Sequence, residues 1–286
     1  MALAVFDIGG SAVKYGKWEN KQLSETGQFT TPETLEEMQQ EMKNVIATFG
    51  NDITGVAISS PGAVNVKDRR IDGISAVPYL HERPIFDELE AALGFSITIE
   101  NDANCAGIAE MGLGAGQGMN HVAFVVIGTG VGGAIFINGQ LYKGAHLFGG
   151  EFGLMVSRNG RNLSSNGTAV NTAGRFSKEI GEVITGKELF ERYDAGDKAA
   201  IEAFDGMYAH LTDALYNIQV SIDPEMIIIG GGISARPDVT EEIRKRLYDQ
   251  LVEFGVPGAM PKVAACEFLN DANLIGAAIN YENLMK

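Results

Sequence analysis

Asp7, Gly9, Gly10 and Ser11 fall where the apolar run "VFDI" (5–8) breaks into a turn before a second strand, "AVKYG" (12–16). Glycines at such a turn let backbone N–H groups approach an anion with no Cβ in the way, which is how phosphate cradles are built. A carboxylate at the strand's end repels phosphate directly but can hold a hydrated Mg2+ that bridges to it. A tight hairpin with a solvated acid explains the same residues, and for this stretch alone it is the simpler reading. A second loop, Gly128-Thr129-Gly130-Val131-Gly132-Gly133, shifts the balance, because two such turns in equivalent places of repeated units suit a polyphosphate. The third feature is "ENDANCAGIAE" (100–110). Asp102 falls where a strand gives way to a helix, so the dipole and free amides are expected to keep it ionised at neutral pH. It could simply cap that helix. Beside two phosphate loops, the preferred reading is a base that accepts the proton of an alcohol attacking phosphorus. Asn101 and Asn104 add the donors and acceptors that a polyhydroxyl ligand needs.

These residues require a scaffold of strands and helices. Alternating apolar positions predict three strands, "LAVFDI", "AVKYGKW" and "QLSETGQF", as a β-meander. Leu35, Met38, Met42, Val45, Ile46 and Phe49 recur at helical spacing and predict an amphipathic helix over Pro32–Phe49. "ITGVAISS" reads as a buried strand, "RPIFDELEAALG" as a helix, "SITIE" as a strand and "DANCAGIAEMGLG" as a helix capped by Asn or Asp. Residues 122–142 repeat the opening hairpin, which predicts an internal duplication with one copy per lobe. Helices are expected over Ala169–Ile180, Lys187–Tyr193, Lys198–Ile222 and Val239–Phe254, with "MIIIGGGIS" as one more buried strand and "DANLIGAAINYENLM" as a closing helix. The outcome is a mixed α/β fold built on central sheets.

Composition bounds the function. The 286 residues are 45% hydrophobic, enough for two sizeable cores. A formal charge of −15, with no basic cluster beyond "VKDRR", argues against nucleic acid as a partner. No apolar stretch is long enough for a bilayer and the start lacks signal-peptide character, so a cytoplasmic protein with no membrane partner is expected. Cys105 and Cys266 match no metal or redox spacing and read as reduced and inert. His81, His121, His146 and His210 share no ligand spacing.

In order, "DIGGSAVKYG", "SSPGAV", "ENDANCAGIAE", "IGTGVGGAIFINGQLYKG", "GGEFG" and "IIIGGGIS" resemble the ROK family of sugar kinases and sugar-sensing repressors, over essentially the full chain. The resemblance implies a two-lobed actin-like ATPase (ribonuclease H-like) fold, α/β with mixed sheets and flanking helices, closing on ATP and a hexose. It places residues 1–118 plus 271–286 in the N-terminal lobe, with the first phosphate loop and the base. Residues 119–270 form the C-terminal lobe, with the second loop, a sugar-binding acid and the adenosine site. It implies that Asp102 is the catalytic base, that Asn101 and Glu151 bind the sugar and that Pro61-Gly62 shapes the sugar loop. Gly9, Gly10, Ser11, Thr129 and Gly130 would line the phosphates, and Gly231 and Gly232 the adenosine. Asp7 would hold Mg2+ through water, and the sequence places His146 near Glu151. A homodimer is implied as well.

Departures from the family pattern carry weight too. Leu154 stands where the family usually has a histidine three residues after the acid, and "MVSRNGRNLSSNGTAVN" has no cysteine, so a zinc-free member is expected. The missing segment normally brings a second acid toward the anomeric end of the sugar. Its loss predicts a less polar, roomier pocket there, suited to a group on O1, as in a β-glucoside. Ala12 replaces the polar residue often found after the loop serine. The resulting expectation is an ATP- and Mg2+-dependent kinase that moves the γ-phosphoryl group to a hexose or β-glucoside hydroxyl, at C6. A sugar-sensing regulator is the alternative, disfavoured because the chain starts on its first strand with no room for a DNA-binding module. A dinucleotide-dependent oxidoreductase lacks its glycine fingerprint. Glucose, N-acetylmannosamine and β-glucosides such as cellobiose stay open as substrates.

Overall fold

A computed structural model describes residues 2–285. In chain order the elements are β1 (Ala2–Ile8), β2 (Ala12–Glu19), β3 (Gln22–Thr30), α1 (Leu35–Thr48), β4 (Ile53–Ser60), β5 (Ala63–Asn65), β6 (Arg70–Asp72), α2 (Ile85–Leu93), β7 (Ile97–Asn101) and α3 (Asp102–Leu113). There follow β8 (Val122–Ile127), β9 (Val131–Ile137), β10 (Gln140–Leu141), α4 (Leu163–Asn166), α5 (Ala169–Ile180), α6 (Gly186–Asp194), α7 (Lys198–Ile222), β11 (Met226–Gly230), α8 (Pro237–Glu253), β12 (Lys262–Ala265) and α9 (Ala272–Leu284). By contacts the chain divides into two compact units, one of residues up to 114 with 144–148 and 270 onward, the other of residues 115–143 and 149–269.

The first unit is a five-stranded sheet in the order β3-β2-β1-β4-β7, with β1–β2 antiparallel and β1–β4 and β4–β7 parallel. β1 and β4 are buried on both faces, and this explains their near-continuous apolar sequence. α1 begins at Leu35 rather than Pro32, because the Thr34 hydroxyl caps it by accepting from Glu37 N at 3.3 Å. Its apolar stripe, with Met38 and Met42 fully buried, packs into a core shared with Phe6, Ile58, Leu89 and Ile99. The short β5–β6 hairpin was not foreseen, since three-residue strands around a charged turn carry almost no periodicity. The basic stretch that turns it is neutralised locally, Arg69 by Asp87 and Glu90 and Arg70 by Asp72.

The second unit repeats the plan. Its sheet runs β10-β9-β8-β11-β12, with β8–β9 antiparallel and β8–β11 and β11–β12 parallel. The duplication read from the two hairpins therefore extends to the whole strand order. α5 and α7 span the residues predicted for them, and α7 buries Phe204, Leu211 and Leu215 against Val125 and Ile229 of the sheet. β12 escaped the sequence reading because "KVAA" is short and only half buried.

α9 belongs to the first unit and lies on α3 so closely that a Cβ at Gly276 would stand 1.7 Å from the Cys105 carbonyl oxygen. Its far end is tied by Trp18 Nε1, which donates to Glu282 at 2.7 Å. Among the described residues no helix is long and apolar enough to cross a membrane.

Candidate active site

The carboxyl ends of three adjacent strands collect the polar residues of the first unit. The register aligns Asp7 of β1 with Ser59 of β4, and Ser59 and Ser60 with Glu100 and Asn101 of β7. Strand spacing of about 4.8 Å puts the backbones of Asp7 and Glu100 roughly 10 Å apart, with Asp102 two residues beyond Glu100. Open parallel sheets place ligands at this edge.

At the β1–β2 turn Gly9 N donates to Ala12 O at 3.0 Å, closing the hairpin. The amides of Gly10 and Ser11, both exposed, have no partner among the described residues and stand ready for an anion. A Cβ at Gly10 would come 2.6 Å from Ala76 Cβ, so glycine is needed to seat the turn against the 73–77 loop. Asp7 Oδ1 accepts from Ser59 Oγ at 2.7 Å and from Asn273 Nδ2 at 3.0 Å. That holds the carboxyl still and leaves Oδ2 for a cation. Among the described residues no group of three or more acids, histidines or cysteines could hold a bare metal ion. Asp7 thus fits Mg2+ that keeps its waters and takes its other ligands from phosphate.

Asp102 opens α3, and the preceding Asn101 is the cap, its Oδ1 accepting from Asn104 N at 3.2 Å. Asp102 Oδ1 accepts from Ala103 N at 2.8 Å and from Asn101 Nδ2 at 2.9 Å, and Oδ2 has no hydrogen bond among the described residues. Asn101 Nδ2 also donates to Gly62 O at 3.1 Å, which ties the acid to the Pro61-Gly62 loop. Gly62 has φ +102°, and a Cβ there would meet His81 and Ile71 at 2.7 Å, so only glycine fits. The shift of the Asp102 pKa runs opposite to the direction that the helix amides alone would give. Burial is the largest influence on the Asp102 carboxyl and raises its pKa, Asp7 nearby adds to the rise, and the Ala103 amide and Asn101 oppose it without prevailing. The carboxyl is solvent-reached yet ringed by protein, and the amides of the first helical turn do not offset that crowding.

Asn104 does not stand with the expected sugar ligands. It is 7% exposed, and its Nδ2 donates inward to Glu100 Oε1 at 2.9 Å. Asn101, with both amide hydrogens in use, has one lone pair of Oδ1 left for a ligand. His146 is exposed in segment 144–148.

In the second unit Gly128 N donates to Gly130 O at 2.9 Å and Val131 N to Ser164 Oγ at 2.9 Å, while the Thr129 and Gly130 amides have no partner among the described residues. Gly231, at φ +84°, follows β11 with its Cβ position only 2.3 Å from the Ile127 carbonyl oxygen. Beside these turns lies a cavity of about 580 Å3 lined by Ile127, Gly128, Thr129, Ala169, Val170, Gly186, Lys187, Phe190, Glu191, Gly232, Ile233 and Arg236. Cβ atoms at Gly128 or Gly232 would meet nothing within 4 Å, so glycine keeps that space open. An apolar cavity of this size beside anion-ready amides fits a nucleoside with its phosphates on the glycine turn. Arg236 is locked in its wall, over the Phe190 ring at 4.4 Å, and the hydrogen bonds it donates, first to Asp194 and then to Asp238, raise its pKa. Sequence reasoning found the glycines and missed this wall, whose residues are scattered over α5, α6 and the turn at 232–236.

Glu151 is exposed between Gly150, at φ +90° with its Cβ position 2.7 Å from the Gly133 carbonyl oxygen, and the buried Phe152. Those two neighbours fix the direction in which the acid projects. Leu154 follows, and the segment after it is a hairpin closed by Ser157 N to Arg161 O at 2.8 Å and Leu163 N to Met155 O at 2.8 Å. The side-chain amides of Asn159 and Asn166 exchange hydrogen bonds at 3.1 and 2.9 Å, so amide pairing holds this segment.

A family model described as the ROK family matches residues 3–283. The chain is 34% identical to a beta-glucoside kinase of Listeria monocytogenes, covering 98% of this chain and 97% of that one. It is 32% identical to a beta-glucoside kinase of Klebsiella pneumoniae over 100% of this chain and 98% of that one. The crystal structure of a ROK family protein from Streptococcus pneumoniae TIGR4 in complex with sucrose superposes with a TM-score of 0.92 at 34% identity, covering 100% of this chain and 99% of the other.

Proposed function

The chain belongs to the ROK family and is an ATP-dependent sugar kinase, and from that premise we propose that its acceptor is a β-glucoside phosphorylated at the C6 hydroxyl. The observation that carries the chemistry is Asp102, with one carboxylate oxygen held by two donors and the other unengaged, beside Asp7 at the same sheet edge. Asp102 Oδ2 takes the hydroxyl proton as the oxygen attacks phosphorus. Its pKa, raised chiefly by burial, makes its ionised form a stronger base than an ordinary aspartate. The free amides of Gly10, Ser11, Thr129 and Gly130 hold phosphate oxygens, and Gly231 and Gly232 border the adenosine. Mg2+, when bound through water at Asp7, supplies charge neutralisation for the transferring phosphoryl group. Asn101, Gly62, Glu151 and His146 serve the sugar.

The β-glucoside assignment rests on two supports. Relatives named beta-glucoside kinases match over nearly the whole chain, and a similar structure holds sucrose, an α-glucoside, which supports a substituent on C1 rather than the β linkage itself. Leu154 stands at the family's histidine position and residues 155–171 carry no acid and no cysteine, so the segment that follows the sugar acid brings no second acid. A regulator without turnover is not favoured. As the family resemblance implies, the working form is a homodimer, which light scattering would report as twice the chain mass. The deciding experiment is an ADP-release assay over cellobiose, methyl β-glucoside, glucose and N-acetylmannosamine. The expected order of kcat/KM puts the two β-glucosides at least tenfold above the free monosaccharides, and a preference for glucose or N-acetylmannosamine would overturn it.

A further inference from the structure

Glu100 is 3% exposed at the end of β7, and a carboxylate so placed costs free energy unless its oxygens are satisfied. Its Oε1 accepts from Asn101 N at 2.8 Å and from Asn104 Nδ2 at 2.9 Å. Both donors belong to the turn that presents Asp102. The Asn101 amide fixes the extended backbone of the cap residue, at φ −62° and ψ 148°, and the Asn104 amide is the far wall of the same turn. Asn101 in turn passes the constraint on through Nδ2, to Asp102 Oδ1 and to the Gly62 carbonyl.

We propose that Glu100 is a positioning residue, a buried acceptor that fixes the Asn101 cap so that Asp102 keeps Oδ1 occupied and Oδ2 directed at the acceptor hydroxyl. The proposal rests on Asp102 being the base and adds a residue that touches neither sugar nor nucleotide. Because both bonds land on one oxygen, an amide carbonyl can replace it. Glu100→Gln therefore keeps an acceptor for these two bonds, whereas Glu100→Ala removes it and lets the turn relax. A displacement on the order of 1 Å at a catalytic group costs about 100-fold in rate.

The test is a kinetic cycle on the full-length protein with ATP, Mg2+ and cellobiose. Expected for Glu100→Ala is a 10- to 100-fold loss of kcat with KM for ATP within threefold, while the slow sugar-independent hydrolysis of ATP is kept, and for Glu100→Gln a kcat within about fivefold of wild type. In an Asp102→Asn background Glu100→Ala should add less than threefold, since a positioning residue has nothing left to position. Should Glu100→Ala not fold, Asn104→Ala, which removes one donor from the other side, is read in its place with the same criteria. The proposal is overturned if the folded variant keeps kcat within threefold, if sugar-independent hydrolysis falls in parallel, if Glu100→Gln is as slow as Glu100→Ala, or if the losses multiply in the double variant. A wild-type rate for Asp102→Asn alone would instead refute the assignment of the base, so the two failures are distinguishable.

Discussion

Asp102→Asn separates the chemistry of this carboxyl from its structural role. The asparagine carbonyl can still accept from Ala103 N and Asn101 Nδ2, the bonds now at 2.8 and 2.9 Å, so the α3 turn and its link to Gly62 persist. What disappears is the basic Oδ2. A general base contributes about 10²–10⁴ in rate, or roughly 2.7–5.4 kcal/mol at 1.36 kcal/mol per decade, and kcat should fall by that factor with KM for ATP little changed. The same change should not cost stability. The folded carboxyl has a raised pKa, so the native state binds its proton more tightly than the unfolded chain does, and wild-type stability declines as pH rises from the unfolded value through the folded one. Asparagine has no such proton to lose. At pH 7 the variant should melt at or above the wild-type temperature, an advantage that vanishes below the unfolded carboxylate value. In the wild type, kcat/KM should fall as pH drops through a pKa above the ordinary carboxylate value of about 3.9, and the variant's residual rate should lack that limb. ADP-release kinetics as a function of pH, with calorimetry at neutral and acid pH, measure all three. A kcat within threefold of wild type, or a clearly lower melting temperature at pH 7, would refute the reasoning.

Asp7→Asn removes the negative charge that helps raise Asp102, so the acid limb of its residual activity should move to lower pH, as a pH–rate profile would show. Gly232→Leu places a side chain in the roughly 580 Å3 cavity where a Cβ now meets nothing. KM for ATP should rise at least tenfold, about 1.4 kcal/mol, with sugar KM changed much less, as two-substrate kinetics would resolve. Gly276→Ala forces a methyl within 1.7 Å of the Cys105 carbonyl oxygen, so α9 must lift from α3, and denaturant melts should show a loss of about 3 kcal/mol or more. Gly150→Ala puts a Cβ on a left-handed residue 2.7 Å from Gly133, and the Glu151 turn it strains should show in sugar KM more than in ATP KM, with about 1–3 kcal/mol lost in stability.

What could be read from the sequence follows a physical pattern. Strands buried on both faces, such as β1, β4, β8 and β11, announce themselves as apolar runs, and the glycine turns between them stand out because few other residues tolerate those geometries. Long helices with a clear stripe, α5 and α7, were placed to the residue. The short β5, β6 and β12 carry too few residues for any period to emerge. At the site, the chemistry-bearing types were legible and their partners were not. Asp102 was visible in "ENDAN", but the sequence could not show that burial outweighs the helix amides, because crowding comes from chain segments distant in sequence.

One signal was present and unread. "NDAN" occurs twice, at residues 101–104 and 270–273, each time opening a helix, and the two helices pack on one another through Gly276. In the first copy Asn104 turns inward to Glu100, while in the second Asn273 turns to Asp7 Oδ1. The same four residues thus support two different carboxylates at one sheet edge, Glu100 behind the turn that presents Asp102 and Asp7 placed for a hydrated cation. Duplicated helices in contact make such a division economical. Each copy can keep its fold-forming turn while its asparagine takes whichever acid the neighbouring strand presents. By this argument Asn273→Ala should disturb Mg2+ dependence and Asn104→Ala the acceptor step, with little effect of either on the other's parameter. A Mg2+ titration of kcat for both variants reads the difference, and identical Mg2+ dependences would show that the two turns had not diverged in role.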